Sequence, residues 1–304
     1  SGQYNTGLGT FALYSNTTAS NNTAVGYQAG YSTTTDGENT AVGSQAFYSN
    51  TTGNRNVALG REALYSNTTA DGNTAVGFEA ALNNTTAELN SALGFNALRT
   101  NTTGGNNVAL GASALYSNTT ASNNTAVGWF TLYNNSTGTT NTAVGGGVAG
   151  SVLSTMENNT TGSNNSAFGI GALGKNTTAS NNTAVGYQAM YSNTTGGENV
   201  SVGREALANN TTGSQHAFFG YQAGQKNTTG NYNTFIGRRA GYSTTTGSDN
   251  TIVGNGAGSS HTTGSSNGFF GTGAGNAITT GSNNTILGRY NGNQGGLDIR
   301  TSSN

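Results

Sequence analysis

The chain has 304 residues, of which 49 are glycine, none proline and none cysteine; 32% are hydrophobic, 7% are charged, and the formal charge is −1. No basic run exists to displace counterions from a phosphate backbone, which argues against nucleic acid, and no apolar stretch approaches the ~20 residues that cross a bilayer. Without cysteine there are no disulfides and no thiolate metal sites. Low hydrophobicity marks disorder when charge or proline is high; here neither is, so the chain reads as ordered, with many small cores in place of one large one.

Along the chain a glycine recurs every 17 residues: Gly9, Gly26, Gly43, Gly60, Gly77, Gly94, Gly111, Gly128 and Gly145, then, after one step of 24, Gly169, Gly186, Gly203, Gly220, Gly237, Gly254, Gly271 and Gly288. A short fixed period means one structural unit per repeat, stacked on its neighbours. The repeat is already running at Asn5 and no signal peptide is read at Ser1, so the sequence reads as cut from a longer chain. With Asn22 as position 1, the consensus coil is N-T-A-V-G-Y-Q-A-L-Y-S-N-T-T-G-S-N. Position 4 is apolar, position 8 is nearly always Ala, and positions 12–17 carry Asn, Thr, Gly and Ser, which is turn chemistry.

These features predict an all-β parallel β-solenoid. Each coil is expected to hold two short strands, at positions 1–4 and 7–10, with a tight turn between them at Gly26, Gly43, Gly60, Gly77, Gly94, Gly111, Gly128, Gly186, Gly203, Gly237, Gly254 and Gly288. Those glycines imply positive φ or a close backbone approach. Asn at position 1 is expected to form an amide ladder from coil to coil. Residues 1–288 form the solenoid of seventeen coils, with a seven-residue insertion within 146–157, and 289–304 form an exit segment toward a further C-terminal region. At ~4.8 Å per parallel step, the coils give a rod about 80 Å long.

Alternate strand residues face opposite sides, yet positions 3 and 4 are both apolar in nearly every coil and both large near the C-terminus, as in Phe218-Phe219, Phe235-Ile236 and Phe269-Phe270. Both strand faces are therefore expected to be dry, one of them through other copies of the chain. Position 3 also trades volume with position 9: Ala58 stands with Leu64, Ala92 with Leu98, Ala109 with Leu115, whereas Phe218 stands with Gly224, Phe235 with Gly241, Ile252 with Gly258, Phe269 with Gly275 and Ile286 with Gly292. Ala24 with Gly30 and Ala75 with Ala81 depart from the rule. Side chains that share one close-packed space behave this way. Positions 3 and 9 are therefore expected to meet, at an inter-chain seam made by Ala58, Leu64, Phe218, Phe235, Ile252, Phe269 and Ile286.

Candidate sites follow in chain order. Tyr27, Trp129 and Tyr187 at position 6 are aromatic groups on which a sugar ring could stack, set against a reading in which the aromatic rows, those at position 10 above all, simply pack coil on coil. Glu62 and Glu79, one coil apart, lie at about the 5 Å spacing of a retaining glycosidase pair, but any repeat places equal positions so; with Arg61 and Arg204 beside Glu62 and Glu205, surface ion pairs are expected and catalysis is not. Val152, Leu153 and Met156 in the insertion are candidates for surface recognition, because solenoid insertions emerge as loops. His216 and His261 are too few and too far apart for a metal site within one chain, so no metal and no cofactor is expected. Asn-x-Thr at position 12, as at Asn50, Asn67 and Asn101, matches a glycosylation acceptor or plain turn chemistry. Paired threonines at positions 13 and 14 would suit an ice-binding face if they formed a flat array.

The unit Asn21-Asn22-Thr23-Ala24-Val25-Gly26, and again Asn106-Asn107-Val108-Ala109-Leu110-Gly111, resembles the head repeat of YadA-like trimeric autotransporter adhesins, a left-handed parallel β-roll. Runs such as N-T-A-V-G-Y-Q-A-L-Y-S-N-T-T-G, with an exit like Gly288-Arg289-Tyr290-Asn291-Gly292, are closer to marine bacteriophage tail-fibre proteins. The likeness covers nearly the whole chain; the 17-residue period is longer than the usual adhesin-head repeat. Both families imply a left-handed roll assembled as a homotrimer. The resemblance implies a non-catalytic shaft segment of a virion tail fibre that positions, or contributes to, contact with host-surface glycans. The alternative is an adhesin head on a bacterial cell surface.

Overall fold

A computed structural model describes residues 2–35, 37–147, 154–294 and 297–298. The chain divides into two compact units, Ser1–Gly147 and Val148–Asn304. In the first, nine three-residue strands run from β1 (Thr6–Leu8) to β9 (Thr142–Val144). Each lies parallel to the next with partners 17 residues apart, as in Thr23↔Thr40, Ala24↔Ala41 and Val25↔Val42. The second repeats this with eight strands, β10 (Ser166–Phe168) to β17 (Thr285–Leu287). An antiparallel pair follows, β18 (Asn293–Gln294) with β19 (Leu297–Asp298), in the expected exit segment. No helix occurs among the described residues. The architecture is a parallel β-solenoid with coils of 17 residues.

One strand per coil is formed, at positions 2–4, and among the described residues of the stacked coils the second strand expected at positions 7–10 is absent. The cause is local. Positions 7 and 9 both hold positive φ, as at Glu62 (57°) and Leu64 (50°), so φ alternates in sign and the segment bends instead of extending. The alternation also aims successive N–H groups at different coils. The Gln28 N–H donates to the Thr10 carbonyl of the preceding coil (2.9 Å), and the Gly30 N–H donates to Ala46 of the following one (2.9 Å). Left-handed conformations at non-glycine residues cost roughly 1 kcal/mol each, and this coil-to-coil bonding offsets them.

At the corner glycine two demands coincide. Gly94 has φ 140°, and a Cβ there would stand 2.7 Å from both the carbonyl carbon and the oxygen of Gly111 in the next coil. Glycine is required for the conformation and for the approach.

The interior is narrow and half polar. Asn at position 1 is buried from Asn22 onward, and so is Asn at position 12 from Asn50 onward. The Asn39 N–H donates to Asn22 Oδ1 (3.0 Å), and Asn39 Nδ2 donates to the Gly53 carbonyl at position 15 (2.8 Å). A second ladder, absent from the sequence expectation, runs at position 12: Asn118 Nδ2 donates to Asn101 Oδ1 (2.8 Å) and to the Ala121 carbonyl (2.9 Å). Buried amides without partners would each cost about 1–3 kcal/mol; stacking identical coils satisfies them in series. The remaining interior is filled by positions 3, 8 and 9, exemplified by Ala58, Ala63 and Leu64, all fully buried.

Positions 3 and 9 do meet, but inside one chain. Ala58, Leu64, Phe218, Phe235, Ile252 and Phe269 have no exposed surface and Ile286 has 4%, so these residues line the coil's own core and not an inter-chain seam. A Cβ on Gly258 would fall 2.8 Å from Ile252 Cδ1, and one on Gly275 would fall 2.7 Å from the Phe269 ring. Strand alternation alone could not tell which apolar face turned inward; the geometry gives the interior to position 3.

Candidate functional site

With position 3 inside, position 4 faces outward and forms an apolar row along each unit. Leu93 is 46% exposed in the first unit, and Phe219 and Ile236 are 40% and 41% exposed in the second. Thr, Val or Ser at position 2 stands beside this row on the same face, as at Thr234 beside Ile236. A continuous apolar row on an outward face is more apolar surface than a chain usually leaves to water.

The aromatic rows are largely self-occupied. Tyr14, Tyr31, Tyr48 and Tyr65 at position 10 stack with centroids 5.0–5.1 Å apart and planes within 10°. Both faces of Tyr31 and Tyr48 are covered by neighbouring rings, which leaves only their edges for a ligand. At position 6, Tyr27 and Trp129 are exposed; Trp129 leans on Phe130 at 4.3 Å. Tyr187 is exposed at the head of a column in which Arg204 lies 5.8 Å from the rings of Tyr187 and Tyr221, and Arg238 lies 5.9 Å from Tyr221.

Of the insertion residues, Val152 and Leu153 lie outside the described residues. Met156 is fully buried, contrary to its expected surface role. Its N–H donates to the Ala172 carbonyl (3.0 Å) and its φ is 50°, both as at position 9 of any coil. The regular path has therefore resumed by Met156.

The carboxylates at position 7 are tied to neighbours. Glu62 accepts from Arg61 (2.7 Å) and Glu79 from Arg99. Hydrogen bonds from Gln222, with further help from Arg204 and Gln225, hold the Glu205 carboxyl below its ordinary range. The histidines are built into the amide ladders. The Asn233 N–H donates to His216 Nδ1 (3.2 Å), so Nε2 carries the proton and turns to the Gly230 carbonyl, as a ladder Asn turns its Nδ2. His261 holds the equivalent place at position 12, beside Thr244 and Asn267. Burial lowers both from 6.5 to about 4. No group of acidic or imidazole side chains among the described residues could hold a metal. Nor is any helix among them long and apolar enough to cross a membrane.

Asn50, Asn67, Asn101, Asn118, Asn176, Asn193, Asn210 and Asn227 are fully buried, so these Asn-x-Thr sites are ladder residues and not glycan acceptors in the folded chain. Their neighbours at position 13 are engaged as well: Thr102 Oγ1 donates to the Thr119 carbonyl (3.0 Å). The fold defines the class, a parallel β-solenoid repeat protein. Neither protein-family models nor characterised proteins compared with the chain match it.

Proposed function

We propose that this chain is a non-catalytic structural segment of a phage tail fibre, assembled from three parallel copies that meet along position 4. One observation carries the reading. Position 4 is apolar in every coil, although the coil's interior is closed by positions 3, 8 and 9 without it. A row of Val, Leu, Ile and Phe kept on the outer face of a self-sufficient core is the surface that twin copies would bury. At about 25 cal/mol per Å² of apolar area removed from water, small increments repeated over every coil sum to a stable assembly. The stacked ladders supply stiffness, and coil number sets length. Exposed Tyr27, Trp129 and Tyr187 are available for glycan contact on the host surface.

Light scattering tests the assembly: three chains of 30.5 kDa give about 92 kDa. The double change Phe219→Asp and Ile236→Asp should reduce the mass to that of a single chain with the coil signature intact by circular dichroism. A well-dispersed 30.5 kDa species of the unmodified chain overturns the reading.

A second reading rests on position 14, which is Thr and exposed in nearly every described coil, for example Thr86, Thr103 and Thr120. Such a row could order water on an ice plane. Absence of thermal hysteresis removes it.

A further inference from the structure

Arginine occurs at position 6 in Arg61, Arg204, Arg238 and Arg289. In the first two cases position 7 is Glu and the pair is closed, at 2.7 Å for Arg61–Glu62 and 2.9 Å for Arg204–Glu205. In the third, position 7 is a second arginine, Arg239. Its equivalents one coil away are Gln222 and Gly256, both neutral. Among the described residues, no carboxylate lies within 4.0 Å of either Arg238 or Arg239, since the ion pairs found there involve Arg55, Arg61, Arg99 and Arg204.

The two side chains are positioned without being neutralised. Arg239 lies 4.2 Å from the Tyr242 ring centroid, and Lys226 lies 5.1 Å from the same ring. Arg238 lies 5.9 Å from Tyr221. Cation–π contact fixes a guanidinium and leaves its N–H fork open. Arg239 Nε is buried and donates to nothing. Three positive charges thus share a small region of a chain whose total charge is −1.

Beside them is a cavity of about 280 Å³, lined by Arg238, Arg239, Tyr242, Ser243, Gly256, Ser259 and Ser260. Its origin is a step in the repeat. The position 7 column falls from Arg239 to Gly256 and Gly273, where a Cβ would meet nothing within 4 Å. The cavity thus joins two unpaired guanidinium groups to three serine hydroxyls.

We propose that this step binds an acidic saccharide, with the sugar's carboxylate held by Arg238 and Arg239 and its ring hydroxyls by Ser243, Ser259 and Ser260. A guanidinium matches a carboxylate through two parallel hydrogen bonds, and the serines offer both donors and acceptors to a hydroxylated ring. The choice of a saccharide over a simple anion rests on the host-surface reading above.

The test titrates the full chain with a glucuronate oligosaccharide, with its carboxyl-reduced counterpart and with sodium sulfate, by calorimetry. The acidic oligosaccharide should bind, weaken as salt rises, and outbind its reduced form at least tenfold. Arg239→Gln and Arg238→Gln should each lose tenfold or more, whereas Arg55→Gln should lose nothing. Ser260→Glu, which leaves the arginine packing untouched and places a carboxylate in the cavity, should abolish binding; thermal midpoints confirm folding of each variant. Equal binding of the acidic and reduced sugars, or an unchanged Arg239→Gln, overturns the site. Sulfate binding as tightly as the oligosaccharide overturns the saccharide. Light scattering on the same samples separates the two ideas: no binding by the unmodified chain at trimer mass counts against the site, and binding by a monomer counts against the fibre.

Discussion

In the first unit, Ala58, Ala92 and Ala109 line the strand wall of the coil, and Leu64, Leu98 and Leu115 fill the interior from the opposite corner. In the second, from residue 216 onward, Phe218, Phe235 and Phe269 fill it from the strand while Gly224, Gly241 and Gly275 draw back at the corner. The backbone is the same in both: position 9 has φ 50° at Leu64 and 56° at Gly241. What the coil specifies is a volume, and either wall can supply it. The second arrangement also places glycine where φ is positive, which removes a strain that the leucines of the first unit carry.

The largest effect should come from forcing one arrangement onto the other. Gly241→Leu places a Cβ 2.8 Å from Phe235 Cζ, and a wall of stacked rings cannot yield (Phe218 and Phe235 have centroids 4.5 Å apart). A loss of roughly 3 kcal/mol or more is expected. Phe235→Ala alone should lose about 3–5 kcal/mol through the cavity it leaves. Together they rebuild the Ala–Leu pair of the first unit, and the double variant should be more stable than either single one. Denaturant unfolding of all four proteins gives the coupling. Additive losses would mean that the two positions do not share one space.

Acidification sharpens the comparison, because both histidines lie in the second unit. Their folded pKa is depressed from 6.5 to about 4, so between those values the unfolded chain binds protons that the native one does not. Their contribution is complete above pH 6.5 and declines as pH falls toward 4, by on the order of 3 kcal/mol per histidine. Hydrogen exchange at pH 7 and pH 4.5 should show opening in coils around 216 and 261 and little change before residue 147. His216→Asn, which restores the ladder residue, should flatten the dependence near 216. Equal loosening of both units would refute this.

Much of the architecture was legible in the sequence, for a physical reason. Stacked equivalents make each position's environment repeat, so the ladder Asn, the corner glycine and the trade between positions 3 and 9 all surface as periodic residue choices. Three things were hidden. Positions 7–10 read as a strand because Q-A-L-Y alternates, whereas the alternating φ that bends them follows from coil-to-coil bonding that no single coil encodes. The position 12 ladder was masked because Asn-Thr-Thr is also ordinary turn chemistry. Met156 was read as loop because an insertion displaces the count, yet its size and apolarity match position 9, where Leu173 and Met190 stand in the next two coils. The step at Arg239 and Gly256 stands in the sequence as a change of residue type at position 7 and leaves the 17-residue spacing intact.

A smaller effect belongs to the position 10 row, which differs between the units. The first has the stacked run Tyr14, Tyr31, Tyr48 and Tyr65; the second has isolated tyrosines capped by cations, Lys175 at 5.0 Å from Tyr191 and Lys226 at 5.1 Å from Tyr242. Tyr48→Leu keeps an apolar side chain but breaks two ring contacts, and should lose about 1–3 kcal/mol at roughly 0.5–1.5 per stacked pair.

Lys175→Met removes only a charge above one ring. Lys175 is exposed, and a cation–π contact at such a site is worth about 0.5–1 kcal/mol, so its loss should be the smallest of the series. Salt separates the two rows further. The lysine contribution is electrostatic and should shrink between low and high ionic strength, while the tyrosine stack should hold. If Tyr48→Leu proves as mild and as salt-sensitive as Lys175→Met, the run of rings is incidental, and stiffness must be credited to the backbone and amide ladders alone.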